Sequence, residues 1–203
     1  MDDARSDAEI LARTSRQPEL FGIVFDRHFA TIHRYLERRA GRDAADELSG
    51  DVFRIAFEHR ARFRPVHQSA LPWLYGLATN LMLKRWRGEA RHARAVGRLD
   101  VASRNGDVGE LDGSDDRVTA TAARARLLEA LADLPAGDRD VVVLVAWEEL
   151  SYEEVAAALD IPLGTVRSRL SRARRTLRER LAESGHEPLT VTGERREGIR
   201  NDG

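Results

Sequence analysis

One stretch near the C-terminal end, residues 151–181, constrains the fold more than any other part of the chain. Ser151 followed by Glu154 is a capping box, in which each side chain satisfies an unpaired backbone amide at a helix start. Asp160 stands where that helix should end, because a short polar side chain tolerates a left-handed backbone. A proline and a glycine then mark the entry to a second helix. The pattern predicts a helix-turn-helix.

The second helix of this motif is amphipathic and rich in arginine. Apolar residues recur at the helical period, at Val166, Leu170, Ala173, Leu177 and Leu181. Arginine can bind a guanine edge with two hydrogen bonds and can also clamp phosphate. A recognition helix presents its N-terminal residues to the major groove. We therefore predict DNA binding through Thr165, Arg167, Ser168, Ser171, Arg172, Arg175 and Arg178. The alternative is a solvated basic face on an ordinary surface helix.

Residues 1–18 are polar, and we predict that they form a disordered tail. The rest of the N-terminal half is predicted to form three helices. The first helix begins near Leu20 and ends at Gly41. The second carries an acidic face with Asp46, Glu47 and Asp51. That face has two interpretations, which are a solvated surface with acids near the positive helix start and a docking surface for a partner.

A basic loop at residues 62–70 leads into the third helix, which is predicted from about Leu71 to Arg87. Four of its residues share one face, namely Trp73, Asn80, Lys84 and Arg87. An aromatic ring beside cations suits single-stranded nucleic acid, because bases stack on the ring and phosphates pair with the cations. Equally, Trp73 could be a core residue and the cations could be solvated.

Residues 96–120 contain glycines and six acids without a sustained period, which predicts a flexible acidic linker. Beyond it, the run 141–147 is apolar and rich in β-branched residues, as in a strand, but short gaps to flanking helices favour a buried helix. Residues 184–203 are polar and predicted to be a disordered tail. The predicted fold class is all-α, with small helical domains at 19–95 and 121–183.

Several classes of function lack their sequence signals. The chain has no cysteine, and its six histidines form no i, i+4 metal pair. It has no glycine-rich phosphate loop and no nucleophile elbow. We therefore expect no enzyme activity, no metal and no cofactor. No apolar run approaches the length of a membrane helix, and the acidic N-terminus has no signal-peptide pattern, so we expect a cytoplasmic protein.

Three segments in this order resemble the extracytoplasmic-function (ECF) sigma factors of bacterial RNA polymerase, within the sigma-70 family. The segment LPAGDRDVVVLVAWEELSYEEVAAALDIPLGTVRSRLSRARRTL at 134–177 resembles region 4, the DNA-reading domain at the family's C-terminal end. DELSGDVFRIAF at 46–57 and PWLYGLATNLMLKRWR at 72–87 resemble region 2, the N-terminal domain. The resemblance covers about residues 20–183.

The resemblance implies a function for each segment. Region 2 would dock on the clamp helices of the polymerase β′ subunit through Asp46, Glu47, Leu48, Asp51 and Phe53. It would bind the melted −10 element through Arg62, Arg64, His67, Trp73, Asn80, Lys84 and Arg87. Region 4 would place the basic helix in the −35 major groove and contact the β flap. The implied partners are core polymerase, promoter DNA and, if one restrains the chain, an anti-sigma factor, and the free protein would be a monomer.

Two positions depart from the family pattern. Gly50 stands where the family usually has glutamine, and Asp160 stands where it often has glycine. The alternative function is a helix-turn-helix transcriptional regulator whose N-terminal half binds a ligand or dimerises. That interpretation would leave the acidic face and the acidic linker without a purpose. A nucleic-acid enzyme comes third, because no acid–base or metal cluster is present in the sequence.

Overall fold

The computed structural model describes residues 4–64, 68–95 and 126–183. Within these ranges the regular structure is helical, as the predicted all-α class requires. The helices are α1 (Asp7–Arg13), α2 (Phe21–Ala40), α3 (Arg42–His59), α4 (Leu71–Ala95), α5 (126–132), α6 (Ala136–Ala146), α7 (Tyr152–Leu159) and α8 (Leu163–Glu183), with 3₁₀ turns at Pro18–Leu20 and Arg60–Arg62. The predicted linker, 96–120, and the predicted tail, 184–203, lie outside the described residues.

Helix α1 occupies a segment that the sequence predicted to be a disordered tail. Ser6 and Glu9 form a capping box at its start, and Ile10 and Leu11 are buried. The prediction is wrong for this segment because its stability depends on contacts made by two apolar side chains with the distant core. The serine–glutamate spacing is the local signal that could have found it.

Helices α2, α3 and α4 form the N-terminal unit. Gly41 has φ 79°, a left-handed backbone that glycine adopts freely, and it separates α2 from α3 within one residue. Inside the unit, the Tyr35 and Tyr75 rings meet edge to face at 5.0 Å. The hydroxyls of Tyr35 and Thr79 lie 2.7 Å apart, so this buried polar pair has its hydrogen bond.

The apolar run at 141–147 lies mainly in α6, which confirms the buried helix over the strand. Val141, Val143 and Leu144 are buried. They contribute to a core that also contains Val155 of α7 and Leu170 of α8. The three helices therefore form the C-terminal unit around the predicted helix-turn-helix.

The two units pack against each other through α4 and α7, and their buried side chains form one cluster. Gly76 lies directly against the Ala158 carbonyl, where a side chain would collide with the backbone. Arg39 forms a buried ion pair with Asp140, and Arg38 pairs with Glu148. Although burial alone would lower the pKa of Arg39, the neighbouring Tyr35 and Asp140 raise it. Charge pairing and close backbone contact therefore hold the units together.

Candidate nucleic-acid and partner interfaces

The helix-turn-helix has the local geometry that the sequence predicted. Ser151 Oγ accepts from the Glu154 amide at 3.2 Å, and the Glu154 carboxylate accepts from the Ser151 amide at 2.8 Å. Asp160 adopts the left-handed conformation, with φ 51° and ψ 50°. The capping box thus sets where α7 begins, and the left-handed Asp160 sets the direction in which the chain continues into α8.

Helix α8 buries its apolar stripe and exposes its arginines. Val166, Leu170 and Ala173 are buried. On the side toward α7 the helix borders an open groove lined by Tyr152, Arg167, Leu170, Ser171, Arg174, Arg175 and Arg178. Arg174 was not in the predicted set, although it stands seven residues after Arg167 and so shares its face. The groove places five polar or cationic groups of α8 on one accessible surface.

Arg172 lies on the other side of α8, toward α6, and is held by a carboxylate. Its Nη2 and Nε donate to the two oxygens of Asp138 at 2.9 and 3.1 Å. Asp138 is buried in the first turn of α6, whereas the Arg172 side chain is half exposed. The hydrogen bonds that Arg172 donates to this carboxylate raise the pKa of Arg172. Asp138 therefore orients the guanidinium while leaving part of it open to a ligand.

The predicted −10 residues lie along one side of α4. Asn80, Lys84 and Arg87 are exposed. Trp73 is half-buried and packs against the core, and its ring lies 5.2 Å from that of Phe63. Trp73 thus contributes to the core and keeps an accessible portion, and its contact with a nucleic-acid base stays a prediction. Arg62 and Arg64 are exposed before α4, and His67 lies outside the described residues.

The acidic face of α3 is exposed, and each of its acids has a basic neighbour. Asp46 Oδ1 lies 2.7 Å from His33 Nε2, and Asp51 accepts from Arg54 at 3.0 Å. Glu47 pairs with Arg85 of α4. Exposed pairs of this kind contribute little to stability. The three carboxylates are therefore accessible on the surface and not tied into the core.

Leu48 and Phe53, which the sequence assigned to the docking surface, are 4% and 3% exposed. Their prediction as direct docking contacts is wrong, because α3 turns both side chains toward α2 and the core. By contrast, Gly50 is exposed and has open space around the position of a Cβ. Packing therefore does not require glycine at this position.

An aromatic patch formed by Phe25 and Phe57 accompanies the acidic face. Each side chain is 38% exposed. Phe25 stacks on Phe29 and meets Phe53 edge to face, both at 4.9 Å, and Phe57 meets Phe21 at 5.4 Å. The patch exposes apolar area on α2 and on α3, the helix that also carries the three carboxylates.

Two features are absent from the residues that the structure describes. Among them no group of three or more histidines, cysteines or acids is arranged to hold a metal ion. None of their helices combines the length and apolarity needed to cross a membrane.

Family models match both units. A model described as "Sigma-70 region 2" matches residues 24–92, and one described as "Sigma-70, region 4" matches residues 124–177. The chain is 30% identical over 179 residues to the ECF RNA polymerase sigma factor SigL of Mycobacterium tuberculosis, covering 88% of this chain and 98% of SigL. It is 34% identical over 163 residues to the ECF RNA polymerase sigma factor SigE of Mycolicibacterium smegmatis, covering 79% of this chain and 61% of SigE.

Two solved structures share the fold at low identity. One is the sigma factor RpoE in complex with the anti-sigma factor NepR from Bartonella quintana, with a TM-score of 0.53 and 24% identity over 83% of this chain and 98% of that one. The other is CnrH in complex with the cytosolic domain of CnrY, with a TM-score of 0.56 and 24% identity over 89% and 99%.

Proposed function

This chain belongs to the ECF group of the sigma-70 family of RNA polymerase sigma factors, and we propose that three separate surfaces carry its work at a promoter. The α8 face reads the −35 element, the α4 face holds the melted −10 strand, and the acidic face of α3 docks on core polymerase. The observation that carries this proposal is the exposed basic face of α8 on a complete helix-turn-helix. The exposed acidic and α4 faces support it from the other unit.

For the −35 element, the residues toward the start of α8 meet base edges and those farther along meet phosphate. Thr165, Arg167, Ser168, Ser171 and Arg172 form the first group, and Arg174, Arg175 and Arg178 form the second. For the −10 element, the accessible edge of Trp73 stacks on an unpaired base. Lys84 and Arg87 neutralise phosphates of the same strand.

The proposed docking surface combines Asp46, Glu47 and Asp51 with the aromatic patch. Apolar area beside charges suits a protein partner, since the rings supply affinity and the charges supply orientation. We assign this surface to the β′ clamp helices and region 4 to the β flap, as the family resemblance implies. An anti-sigma factor is a further proposed partner, as in the RpoE–NepR complex.

The protein acts in the cytoplasm in this proposal, as a monomer until it binds polymerase, and it catalyses no reaction itself. The alternative of a stand-alone helix-turn-helix regulator is not favoured. It gives no account of the match of residues 24–92 to region 2.

The direct test is reconstitution with a core RNA polymerase. The full chain is mixed with core enzyme, and promoters are selected from randomised duplex DNA in the presence of nucleotides. We expect a stable holoenzyme that produces run-off transcripts from the selected templates only. A chain that binds the selected duplex equally well without core enzyme, and adds no transcription, would support the stand-alone regulator instead.

Reversing the acidic face should weaken polymerase docking without unfolding the protein. We expect the double variant Asp46→Arg/Asp51→Arg to bind core polymerase about tenfold more weakly, because charges at the rim of an interface set orientation and encounter rate. Both positions are accessible to solvent, so each substitution should change the free energy of unfolding by less than about 0.5 kcal/mol. Titration of labelled protein with core enzyme measures the affinity.

The matched control for this reversal is Glu19→Arg/Glu89→Arg, which makes the same change in charge on exposed positions outside α3 and outside the C-terminal unit. The control should bind core enzyme within about twofold of the wild type, since neither position lies on α3. Equal weakening by both double variants would show that net charge, and not the α3 face, governs binding.

A further inference from the structure

Asp7 of α1 is a buried carboxylate with donors on both of its oxygens. It is 4% exposed. Arg27 Nη1 donates to Oδ1 at 2.8 Å, and His28 Nε2 lies 2.6 Å from Oδ2. Although burial alone would raise it, the pKa of Asp7 lies well below its usual range because His28, the Ala70 amide and Arg27 hydrogen-bond to the ionised form. The side chain is therefore a fixed anion inside the N-terminal unit.

The same carboxylate reaches the beginning of α4. The Ala70 amide donates to Asp7 Oδ2 at 2.8 Å, and the Ser69 hydroxyl lies 3.4 Å from the same oxygen. The Ala70 carbonyl accepts from the Leu74 amide at 3.0 Å, so Ala70 stands at the first turn of the helix. A backbone amide at a helix start usually donates to a side chain a few residues away. The Ala70 amide instead donates to Asp7, which lies 63 residues away in the sequence.

Helix α1 contacts the chain on both sides of residues 65–67. The Ala8 amide donates to the Gln68 carbonyl at 3.2 Å. A groove between α1 and the end of the Arg60–Arg62 turn is lined by Leu11, Ala12, Ala61 and Phe63, among others. Since the Phe63 ring packs on Trp73, α1 supports both chain segments that meet at Trp73.

We propose that Asp7 is a positioning residue for single-stranded −10 DNA, setting the start of α4 and hence the placement of Trp73 and the cations that follow it. This rests on the proposed function of α4. A buried ion pair adds little stability over a well-packed apolar substitute, whereas its hydrogen bonds admit one geometry. Stacking of a base on a ring depends on that geometry, since a small displacement of the ring loses the contact.

The test compares two substitutions in α1 that remove the same charge. Asp7→Asn keeps the size of the side chain but replaces one oxygen with an N–H₂ group. That group must face Arg27 on one side or the Ala70 amide on the other, and both of these are donors. Glu9→Gln is the control, because Glu9 is exposed and glutamine also completes a capping box. Holoenzyme made with each chain is titrated with two probes from a promoter selected on the wild type. One probe is the single-stranded −10 segment and the other is the −35 duplex.

We expect Asp7→Asn to weaken binding of the −10 strand about tenfold, the scale of one lost base contact. Binding of the −35 duplex should stay within about twofold of the wild type, because α8 lies in the other unit. Hydrogen exchange at the Ala70 amide should accelerate in Asp7→Asn and stay unchanged in Glu9→Gln. Equal loss on both probes would overturn the proposal in favour of general destabilisation, and so would unchanged −10 binding with a faster Ala70 amide.

A second variant decides the matter if Asp7→Asn does not fold. Ala8→Pro removes the N–H that donates to Gln68 and keeps the Asp7 carboxylate, although the ring also restricts the Asp7 backbone. Proline is tolerated in the first turn of a helix. It should weaken −10 binding in the same direction by about threefold, the scale of one neutral hydrogen bond. If Ala8→Pro leaves −10 binding unchanged, the proposal that α1 positions the start of α4 is overturned. A wild-type holoenzyme without preference for either probe overturns the proposed function itself, and with it this proposal.

Discussion

Replacing Arg39 with methionine is expected to lower the free energy of unfolding by about 3–5 kcal/mol, because it leaves a buried carboxylate without its ion-pair partner. Arg39 and Asp140 have side chains only 6% and 4% exposed, and they join the N-terminal unit to the C-terminal one. Arg39 also donates to the Tyr35 hydroxyl at 2.6 Å. Methionine fills similar volume, so the loss reports the charge and its hydrogen bonds more than a cavity.

Urea unfolding followed by circular dichroism measures this effect, and small-angle scattering shows whether the two units separate. The matched control is Arg54→Met, since Arg54 pairs with Asp51 through side chains that are 56% and 43% exposed. An exposed pair contributes about 0–1 kcal/mol, so this variant should stay close to the wild type.

The double variant Arg39→Met/Asp140→Leu removes both buried charges and should recover most of the lost stability. Recovery separates the cost of an unpaired charge from the loss of packing. An Arg39→Met protein with wild-type stability and compactness would show that the pair does not hold the units together in solution.

The features that sequence could predict are those whose partners lie within one or two helical turns. The Ser151–Glu154 box, the left-handed Asp160 and the α8 stripe are each specified by neighbours a few residues away. The buried helix at 141–147 followed from its short gaps to flanking helices, although its β-branched residues favoured a strand. Local physics was sufficient for the helix-turn-helix.

Contacts between distant residues left no local pattern. Asp138 and Arg172 are separated by 34 positions, and Arg39 and Asp140 by 101. The residues next to these four in the sequence do not indicate the pairing. An arginine on a helix is predicted to be a solvated cation until the element that packs against it is known. The packing of α4 on α7 was not predicted for the same reason. The hydrogen bond between Asp7 of α1 and the Ala70 amide also joins residues that are distant in the sequence.

Leu48 and Phe53 show a different kind of error. Their docking function came from the family resemblance, whereas helical spacing places Leu48 with the buried Ala45 and Val52. The periodicity already indicated that Leu48 faces the core. The resemblance pointed to a face of α3 on which Asp46 and Asp51 are accessible, but it did not separate the residues of that face from those that lie in the core beneath it.

Replacing Arg172 with alanine is expected to cost about 1–3 kcal/mol of discrimination between a cognate −35 element and a scrambled one, the scale of one bidentate base contact. Arg178 lies about two turns farther along α8, where contacts fall mostly on phosphate. Arg178→Ala should therefore weaken both sequences alike and lower the slope of log affinity against log salt by about one. Holoenzyme binding to both duplexes across a salt series measures the two effects.

The ion pair with Asp138 requires one further control, since Arg172→Ala also orphans a buried carboxylate. The double variant Arg172→Ala/Asp138→Ala removes that carboxylate, and we expect it to restore stability but not discrimination. Asp138→Ala alone keeps the guanidinium but frees it to adopt other rotamers, so its discrimination should fall between the wild type and Arg172→Ala. If Arg172→Ala and Arg178→Ala instead shift cognate and scrambled affinities equally, Arg172 reads no base. Helix α8 would then bind DNA by electrostatic attraction alone, and sequence preference would have to come from the α4 face.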